Sequence, residues 1–476
     1  MAKKQDKVKV SFVGMNAESV TGSSTLVETT NEKILFEFGL YQSNNLKVDY
    51  KINSRRLPFK PSEIDYIFVG HTHIDHIGAL PRLYALGCKA RIIVSKGSTP
   101  FMKELLYDCA HILNNDCITL NRKHDNNYTP IYEKDDVDYM LGFIDEFDTD
   151  IKYKLNDNIS FIFTPSGHII NSCQTELFIK QNETTKSILY TSDLGNSLLN
   201  KPFTQKFKPV KYADLVISEC TYADNKRKQG NKKNFEKDIE KIKAIIYQTC
   251  FQNKGNVLIP VFALDRSQHI LKILYDIYGK DENFNIPIVV DSPLMCKIFN
   301  TYKDTLEDEE LEIFEKMISW KNVKFCSETD ESKSAMADKQ PKIILSCSGM
   351  LNAGRSQVHL KNLLPSELNH IVLIGYCAEG TLGWKIQNLN GQKTLTIGGK
   401  IVKNKANITY LRSFSSHMQH DELLDYLSDI KTQKIALVHG NMDAKIGFKG
   451  RLEQRKSEKL NTGQVIAVNK STTITL

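Results

Sequence analysis

The stretch HTHIDHIG at residues 71–78 decides the fold of this chain, because it places metal ligands directly behind a predicted strand. Four residues that bind first-row metals stand within six positions: His71, His73, Asp75 and His76. His71 and His73 alternate on an extended stretch, so their side chains point to the same side. An open catalytic metal usually takes three protein ligands. Four ligands in one run therefore indicate two adjacent metals and predict a dinuclear hydrolase.

Three further residues take the same place, at the end of a predicted strand. His168 lies in TPSGH, Asp193 in LYTSDLG and His439 in ALVHG. Each alone is ambiguous between a structural and a functional role, but together they complete three ligands for each metal plus one bridging carboxylate. Imidazole and carboxylate ligands suit two Zn²⁺ ions per chain, with Mn²⁺ or iron as alternatives.

The other histidines are isolated in the sequence, and an isolated histidine is more often structural than a ligand. We therefore predict core or surface roles for six of them: His111, His124, His269, His359, His370 and His420.

Length and composition indicate an ordinary globular protein of more than one domain. The chain has 476 residues, of which 41% are apolar and 25% are charged. This length fits two or three domains. No apolar run approaches the roughly 18–20 residues that cross a bilayer. The basic N-terminus also lacks the apolar segment of a secretory signal, so we expect a cytoplasmic protein without a membrane partner.

Charge and cysteine usage limit the kinds of partner. The formal net charge of +7 is a modest surplus that permits an anionic substrate such as nucleic acid without demonstrating one. The densest basic run, KRKQGNKK at 226–233, favours a solvated loop over a docking patch. The ten cysteines show no CxxC or zinc-knuckle spacing, which indicates reduced thiols and excludes a cysteine-bound zinc.

The order of predicted elements indicates two α/β units. The first 95 residues consist of short strands, helices are predicted at 100–125 and 134–147, and strands return at 159–164 and 187–193. From about residue 206, strands alternate with helices, as in a parallel sheet. Its predicted strands are 213–219, 255–263, 286–293, 342–349 and 370–376, with helices at 233–252 and 263–279 between them. The last 80 residues are β-rich again, so the chain is expected to re-enter its first domain.

Several motifs, in order along nearly the whole chain, resemble a known family. HTHIDHIGALP, SGH, TSDLG and VHG resemble the metallo-β-lactamase fold. A further set resembles its nucleic-acid-processing branch, the β-CASP nucleases: VTGSSTLVET (20–29), DCAHI (108–112), LVISECTY (215–222), GNVLIPVFALDRSQ (255–268), SCSGMLNAGRS (346–356), GYCAEGTLG (375–383) and FSSH (414–417). The resemblance implies an αββα sandwich with an inserted β-CASP α/β domain. The implied boundaries are 1–205 and 391–476 for the sandwich and 206–390 for the insertion.

The resemblance also assigns the ligands to the two zinc ions. It implies that His71, His73 and His168 hold one ion, that Asp75, His76 and His439 hold the other, and that Asp193 bridges them. It adds a pair outside the two ligand sets, Glu219 in SECTY and His417 in FSSH, with the histidine beside the scissile phosphate. We predict four catalytic residues: Asp193 holds the metal pair, Asp75 orients the nucleophile, His417 protonates the leaving oxygen and Glu219 orients His417.

Two positions depart from the family pattern. The first motif of the family normally has Asp where this chain has Glu37, and the extra methylene is either absorbed or loosens the ligand loop that this residue supports. An Asp that often follows the FSxH histidine by two positions is replaced by Gln419, a lesser change.

Substrate-holding residues are predicted in the second domain. Ser348, Gly349, Gly354 and Arg355 lie in a small-residue loop after a strand, suited to phosphate contact, and Arg266 begins a helix. Turn or helix-cap chemistry explains each of these residues equally well.

The function that these features predict is zinc-dependent hydrolysis of single-stranded RNA. A DNA-processing β-CASP nuclease is the first alternative, but the resemblance favours RNA because His439 is retained. A small-molecule metallo-hydrolase is the second, and it needs neither the insertion nor the Glu219–His417 pair. A non-catalytic RNA-binding scaffold is the third, although no ligand is missing here. Endonuclease or exonuclease mode stays open, and a homodimer is kept as a candidate assembly.

Overall fold

The structure is a computed structural model that describes most of the chain. The described residues are 7–43, 45–124, 127–197, 199, 201–224, 232–375, 377, 380–389, 391–459, 461 and 463–476. Residues 226–231 of the predicted solvated loop lie outside them, as do Tyr376, Ala378 and Glu379 of the GYCAEGTLG motif and the side chain of His124.

The chain folds into alternating strands and helices. The strands are β1 (Lys9–Ser11), β2 (Thr25–Glu28), β3 (Lys33–Phe36), β4 (Tyr66–Phe68), β5 (Arg91–Ser95), β6 (Ile144–Phe147), β7 (Lys152–Lys154), β8 (Ile159–Pro165), β9 (Cys173–Gln181), β10 (Thr184–Tyr190), β11 (Leu215–Glu219), β12 (Val257–Pro260), β13 (Ile288–Asp291), β14 (Val323–Cys326), β15 (Ile343–Ser346), β16 (His370–Leu373), β17 (Thr394–Ile397), β18 (Lys400–Lys403), β19 (Asn407–Tyr410), β20 (Lys434–Val438), β21 (Gln464–Ala467) and β22 (Thr473–Thr475). The helices are α1 (Leu46–Asn53), α2 (Ile74–Ile77), α3 (Leu80–Ala85), α4 (Thr99–His124), α5 (Lys134–Leu141), α6 (Lys232–Ile246), α7 (Arg266–Tyr278), α8 (Pro293–Thr305), α9 (Asp308–Ile318), α10 (Thr329–Ala337), α11 (Gly354–Leu363), α12 (Leu382–Gln387), α13 (His420–Asp429) and α14 (Met442–Glu458).

The chain divides into two compact units. The first comprises Met1–Ser197, Thr204–Lys228 and Ser416–Leu476, and the second comprises Leu198–Phe203 and Gln229–Ser415. The main changes between the two units, at 228/229 and 415/416, therefore come later along the chain than the predicted boundaries at 205/206 and 390/391. Those predicted boundaries concern family domains and stay a prediction. The physical reason is strand pairing: β11 pairs with β10 and β20 of the first unit, and β19 pairs with β16 of the second.

The first unit is a sandwich of two seven-stranded sheets. Their orders are β22-β1-β2-β3-β4-β5-β6 and β21-β20-β11-β10-β9-β8-β7. Alternate apolar residues of the two sheets meet in one buried core, where the rings of Phe68 and Phe161 lie 5.1 Å apart. Helices α2–α5 cover the outer face of one sheet, and α13 and α14 cover the other. This αββα layering confirms the predicted fold class.

Strand direction brings several chain segments to one edge of this sandwich. Strands β3 to β6 are mutually parallel, as are β10, β11, β20 and β21. The loops after β4, β10, β11 and β20 therefore emerge at carboxyl ends of parallel strands, where α/β proteins place their chemistry. Six of the predicted ligands follow β4, β10 and β20, and His168 follows β8, which runs antiparallel to β9 as β10 does.

The second unit is built on a six-stranded sheet with the order β14-β13-β15-β12-β16-β19. All its strand pairs are parallel, as the alternation of strands and helices predicts. A separate antiparallel hairpin joins β17 and β18. The inserted α/β unit is thus confirmed as an architecture.

Two predicted helices differ from the structure. The helix expected at 134–147 ends with α5 at Leu141, and the remaining residues form β6, which pairs with β5 in parallel. Tertiary pairing decides this four-residue segment, because its alternating sequence is too short to show a clear period. The helix expected at 233–252 is α6 followed by a π-helix at Tyr247–Gln252. Across the described ranges, we find no helix with the length and hydropathy needed to cross a membrane.

Candidate metal centre

The ligand run sits in a tight turn between β4 and the short helix α2. His71–His73 is extended and α2 begins at Ile74, so the chain turns between the second and third ligands. Gly39 passes against this turn, and a Cβ atom at Gly39 would lie 1.6 Å from the carbonyl oxygen of Asp75. Only glycine permits this close approach of the two backbone segments, so the segment at Gly39 packs directly against the ligand turn.

One group of ligand atoms collects around His71, His73 and His168. His71 Nε2 lies 3.2 Å from His73 Nδ1, and His168 Nε2 lies 3.3 Å from the same atom. Asp193 joins them, with its Oδ2 atom 3.5 Å from His71 Nε2 and 3.6 Å from His168 Nε2. Each of the four residues offers one ligand atom, and these atoms lie within 4.8 Å of one another, as ligands of one metal ion would.

A second group collects around Asp75, His76 and His439. Asp75 Oδ2 lies 3.4 Å from His439 Nε2 and 3.7 Å from His76 Nε2. The other carboxylate oxygen of Asp193, Oδ1, lies 3.5 Å from His76 Nε2 and 3.6 Å from His439 Nδ1. Asp193 therefore presents one oxygen to each group. All seven predicted ligands are brought together in the first unit.

The chemistry of this donor set fits divalent cations. His76 Nε2 and Asp193 Oδ1 are buried and have no hydrogen-bond partner among the described residues. A buried polar atom without a partner is costly, and a coordinated cation would satisfy both atoms. The histidine nitrogens and carboxylate oxygens lie 3.4–3.7 Å apart. Most of these distances are too long for hydrogen bonds, and they leave room for an ion between the ligand atoms.

The charge states of His71, His168 and Asp193 suit metal binding, which needs neutral imidazole and ionised carboxylate. Burial, together with nearby histidines, holds the pKa of His71 and of His168 well below the ordinary value. Burial opposes ionisation of Asp193, but His439, His76 and other histidines outweigh it and hold the pKa of Asp193 well below its usual range. Burial would lower the pKa of His76, but Glu37, Asp193 and Asp75 raise it well above its usual range. A metal at His76 would therefore displace a proton.

Glu37, where the family pattern has Asp, is fully buried behind the second ligand group. Its carboxylate accepts five hydrogen bonds: from His76 Nδ1 at 2.6 Å, Ser192 Oγ at 2.6 Å, Ser23 Oγ at 2.7 Å, the Tyr190 hydroxyl at 2.7 Å and the Gly70 amide at 3.3 Å. The Ser192 hydroxyl also lies 2.9 Å from His71 Nδ1. The extra methylene is thus absorbed, and Glu37 orients ligands of both groups.

Asn16 and Ser23 support the second ligand group, a role that the sequence does not predict. The His439 amide donates to the Asn16 carbonyl at 2.8 Å, and Asn16 Nδ2 donates to Ser23 Oγ at 3.0 Å. The Ser23 amide donates to the Asp75 carbonyl at 2.8 Å. The pair therefore ties two ligands of the second group together through their backbones. Ser23 lies in the quoted VTGSSTLVET motif, but its neutral side chain carried no signal of this role.

Glu219 and His417 stand beside the two ligand groups. Glu219 Oε1 accepts from the Leu194 amide at 2.7 Å and lies 3.3 Å from His417 Nδ1, while Oε2 accepts from the Thr221 amide at 3.1 Å and from the Thr221 hydroxyl. His417 Nδ1 is 3.9 Å from Asp193 Oδ2. Because Nδ1 faces these carboxylates, Nε2 is the ring nitrogen that can serve a substrate.

The predicted substrate residues all belong to the second unit. Arg355 differs most from its prediction, because its guanidinium donates to Asp291 Oδ1 at 2.7 Å, to the Cys326 carbonyl at 2.9 Å and to the Ser327 carbonyl at 2.8 Å. A phosphate contact by Arg355 would have to break these bonds. Gly354 fits the alternative interpretation, turn chemistry, because it has φ +74° and packs against the Cys347 carbonyl.

The other three substrate residues lie at carboxyl ends of strands in the second unit. Ser348 and Gly349 follow β15, and a Cβ atom at Gly349 would lie 3.1 Å from the Phe262 ring. The Ser348 hydroxyl is buried and has no hydrogen-bond partner within the described part of the chain. Arg266, at the start of α7, is buried and donates to the Ile374 carbonyl at 3.3 Å. Their contact with substrate stays a prediction.

Most of the histidines predicted to be structural bond within their own unit. The pairs are His111 with Asn115 at 2.9 Å, His359 with Asp291 at 2.5 Å, His370 with Thr409 at 2.8 Å and His420 with Asp421 at 2.8 Å. His269 is buried in the second unit.

Comparison with known proteins supports the two-unit architecture described above. Three family models match: the metallo-beta-lactamase superfamily at residues 19–152, the Beta-Casp domain at 267–386 and the Zn-dependent metallo-hydrolase RNA specificity domain at 401–462. Ribonuclease TTHA0252 of Thermus thermophilus is 27% identical over 448 residues, which cover 93% of this chain and 95% of that protein. Transcription termination factor FttA of Methanocaldococcus jannaschii is 26% identical, over 93% of this chain and 68% of that protein.

More distant likenesses agree. Integrator complex subunit 11 of Danio rerio is 25% identical, over 94% of this chain and 72% of that protein. A crystal structure of a protein of unknown function from Enterococcus faecalis V583 matches with a TM-score of 0.55 and 13% identity, over 99% of this chain and 100% of that one, which is a likeness of fold alone.

The sandwich and its clustered histidines and aspartates define a member of the metallo-β-lactamase superfamily. The Beta-Casp match falls within the second unit, between residues 229 and 415. The chain therefore belongs to the β-CASP branch of that superfamily, as its sequence motifs predict.

Proposed function

We propose that this protein is a ribonuclease that hydrolyses phosphodiester bonds of single-stranded RNA with two zinc ions. The observation that carries the proposal is the placement of Asp193, whose two oxygens each lie 3.5–3.6 Å from two histidines of a different ligand group. One carboxylate shared between two sets of ligands is the arrangement that a pair of metals requires.

The residues divide the work as follows. His71, His73 and His168 would hold one ion, Asp75, His76 and His439 the other, and Asp193 both. When bound, a pair of divalent cations supplies an ionised water nucleophile at neutral pH and stabilises charge on the phosphate. Asp75, which is less buried than Asp193, faces the substrate side and orients the nucleophile.

The Glu219–His417 pair supplies the proton for the leaving oxygen. Glu219 is held by the Leu194 amide and by Thr221, so its carboxylate has a fixed direction toward His417 Nδ1. Nδ1–H then donates to Glu219, and Nε2 donates its proton to the departing oxygen. His417 is partly exposed, whereas the ligand His168 is fully buried, as expected for a group that meets substrate.

RNA as the substrate rests on the relatives and on His439. Relatives across nearly the whole chain are named as a ribonuclease and a transcription termination factor, and one matching family model is an RNA specificity domain. The second ligand group keeps its terminal histidine, which the sequence analysis associates with the RNA-processing relatives. We further propose a cytoplasmic location from the cysteine spacing, and the homodimer stays a prediction for sedimentation analysis.

The test is a cleavage assay with 5′- and 3′-labelled single-stranded RNA and DNA of the same sequence. We expect cleavage of RNA that stops when a chelator is added and returns with Zn²⁺. The lengths of the products distinguish internal cuts from cuts at an end. The matched variants are Asp193→Asn and Asp157→Asn, because Asp157 is an exposed residue of the same unit. Cleavage of DNA alone, or cleavage that is indifferent to chelator, would contradict the proposal.

A further inference from the structure

The first unit has a large open cleft that contains none of the predicted metal ligands. It has a volume of about 1100 Å³ and lies over β1, β2 and β22, on the outer side of their sheet. The segment 54–61 and the end of α3 form its other wall. Pockets for single drug-sized ligands measure about 300–1,000 Å³, so the cleft is larger than one small ligand needs.

The lining of this cleft is strongly cationic. Seven lysines and arginines line it against two glutamates, an excess of five positive charges. The glutamates, Glu28 and Glu63, already pair with Lys9, Lys33 and Lys60 at 2.6–3.8 Å. Three arginines in the cleft have no carboxylate partner among the described residues: Arg55, Arg56 and Arg82. Lys470 is also paired, with Glu18 outside the lining at 3.2 Å, so most of the uncompensated charge lies on these guanidinium groups.

Two of these arginines are held side by side by backbone oxygens. Arg55 donates to the Val13 carbonyl at 3.0 Å, and Arg82 donates to the carbonyls of Ser54 at 2.9 Å and of Arg55 at 2.6 Å. Burial lowers the pKa of Arg82, and repulsion from Arg55 lowers it further. These backbone bonds keep Arg82 in the wall of the cleft, where its charge attracts an anion through space, and the exposed Arg56 can offer its guanidinium fork directly to phosphate oxygens.

We propose that this cleft, which we name the Arg55–Arg82 cleft, binds the sugar-phosphate backbone of a single RNA strand as a second contact surface of the enzyme. The inference rests on the proposed ribonuclease function. A polyanion suits the cleft better than one small anion, because its cations are spread along both walls from Lys9 to Lys60. Arg56 and Lys60 are exposed at the rim, where they would meet successive phosphates.

The experiment measures binding of labelled single-stranded RNA to the full chain in chelator, so that no cleavage occurs, across a range of salt concentrations. The test variant is Arg56→Glu with Lys60→Glu. The matched control is Lys89→Glu with Lys180→Glu, which reverses two exposed lysines of the same unit outside the cleft. Metal content and thermal unfolding report whether each variant is folded.

We expect the test variant to bind a strand of about 20 nucleotides at least tenfold more weakly than the control. Its slope of log affinity against log salt should fall by about 1.4, because each phosphate contact to a single strand contributes about 0.7. Cleavage of an RNA of about four nucleotides by the zinc-loaded protein should not change. Equal losses in test and control, or no loss in the test variant, would overturn the proposal.

Two other results are distinguishable. If the test variant keeps its RNA affinity but loses affinity for an acidic peptide, the cleft is a protein-docking surface and the inference is wrong. If the unmutated protein neither binds nor cleaves RNA, the proposed function itself fails and the cleft proposal fails with it.

Discussion

Asp193 in the first unit and Asp291 in the second are both buried carboxylates at the end of a parallel strand, and both face histidine. Asp291 is fully paired, because it accepts from His359 Nε2 at 2.5 Å, from Ser332 Oγ at 2.7 Å and from Arg355 at 2.7 Å. Asp193 has four histidine nitrogens around it at 3.5–3.6 Å, and its Oδ1 atom has no hydrogen-bond partner among the described residues.

The difference separates a structural network from a binding site. Around Asp291 every short contact is already made within the protein, so the network fixes the ends of β13 and α11 and has no capacity for a ligand. Around Asp193 the same residue types are held about 1 Å farther apart and leave polar atoms unsatisfied. A divalent cation among these ligands would satisfy the unpaired atoms and balance the carboxylate charge.

The largest expected effect comes from removing the shared carboxylate charge. Asp193→Asn should lower RNA cleavage by about 10³-fold or more, because the metal pair contributes several kcal/mol to stabilisation of the transition state. Metal analysis of the purified variant should show fewer than two ions per chain. An Asp193→Asn protein with two ions and normal cleavage would remove the contrast with Asp291.

Removing the proton donor should separate catalysis from metal binding. We expect His417→Ala to lose about 10²–10⁴-fold in cleavage rate, the usual range for general acid–base catalysis. It should keep both metal ions, because His417 lies outside the two ligand groups. Metal loss in this variant would show that His417 is a ligand, and the role given to it would be wrong.

In the second unit, the corresponding change should affect stability alone. Asp291→Asn is expected to lower the free energy of unfolding by about 1–3 kcal/mol, because the buried amide cannot accept all the hydrogen bonds that Asp291 accepts from His359, Ser332 and Arg355. The milder Ser332→Ala should cost about 1 kcal/mol. Urea unfolding measures both, and metal content should stay at the wild-type value. A loss of metal in either variant would contradict a purely structural network.

The support behind the ligands should have a smaller effect than the ligands themselves. Glu37→Gln keeps the size of the side chain but removes the charge that faces His76 Nδ1. We expect metal affinity to fall by about 10–100-fold, the usual cost of losing such a partner. Titration with a metal-competing chelator measures this affinity, and Glu32→Gln in the same unit is a control. An unchanged affinity would mean that Glu37 only fills space.

The smallest effect is a pH dependence of the second unit. Burial, despite the nearby Asp265, lowers the pKa of His269 to about 3. The unfolded chain, with an ordinary histidine pKa near 6.5, then binds a proton that the folded chain does not. Stability from this group is therefore complete above pH 6.5 and is lost as the pH falls, by about 2 kcal/mol between pH 7 and 5.

The His269→Gln variant tests this source of pH dependence. Urea unfolding at pH 7 and pH 5 should show a smaller stability difference in the variant than in the unmutated protein. Equal differences would assign the pH dependence to other groups.

The predicted ligands, which the structure brings together, were recognisable because ligand chemistry and strand ends leave a local signal in the sequence. His71, His168 and His439 each follow an apolar run, and parallel strands bring such positions to one edge of a sheet. The layers of the first unit and the parallel sheet of the second could be predicted for the same reason. The Glu219–His417 pair was found only through motif resemblance, since its members lie 198 positions apart.

Other features depend on partners that no local pattern reveals. Asn16 and Ser23 are neutral loop residues, and their role comes from the His439 amide and the Asp75 carbonyl. Arg355 looked like a phosphate ligand because it follows small residues, but its partner Asp291 ends a different strand. The two compact units also change later along the chain than the predicted domain boundaries, because β11 and β19 are short strands whose sheet is decided by pairing alone.

The interruption of the first unit by the second sets an order of assembly during synthesis. Domains form as the chain emerges from its N-terminal end. A nascent chain that has reached residue 415 contains the whole second unit, but it still lacks His417 and the strand β20 that precedes His439. The metal centre can therefore be completed only near the end of translation, after most of the chain has been made.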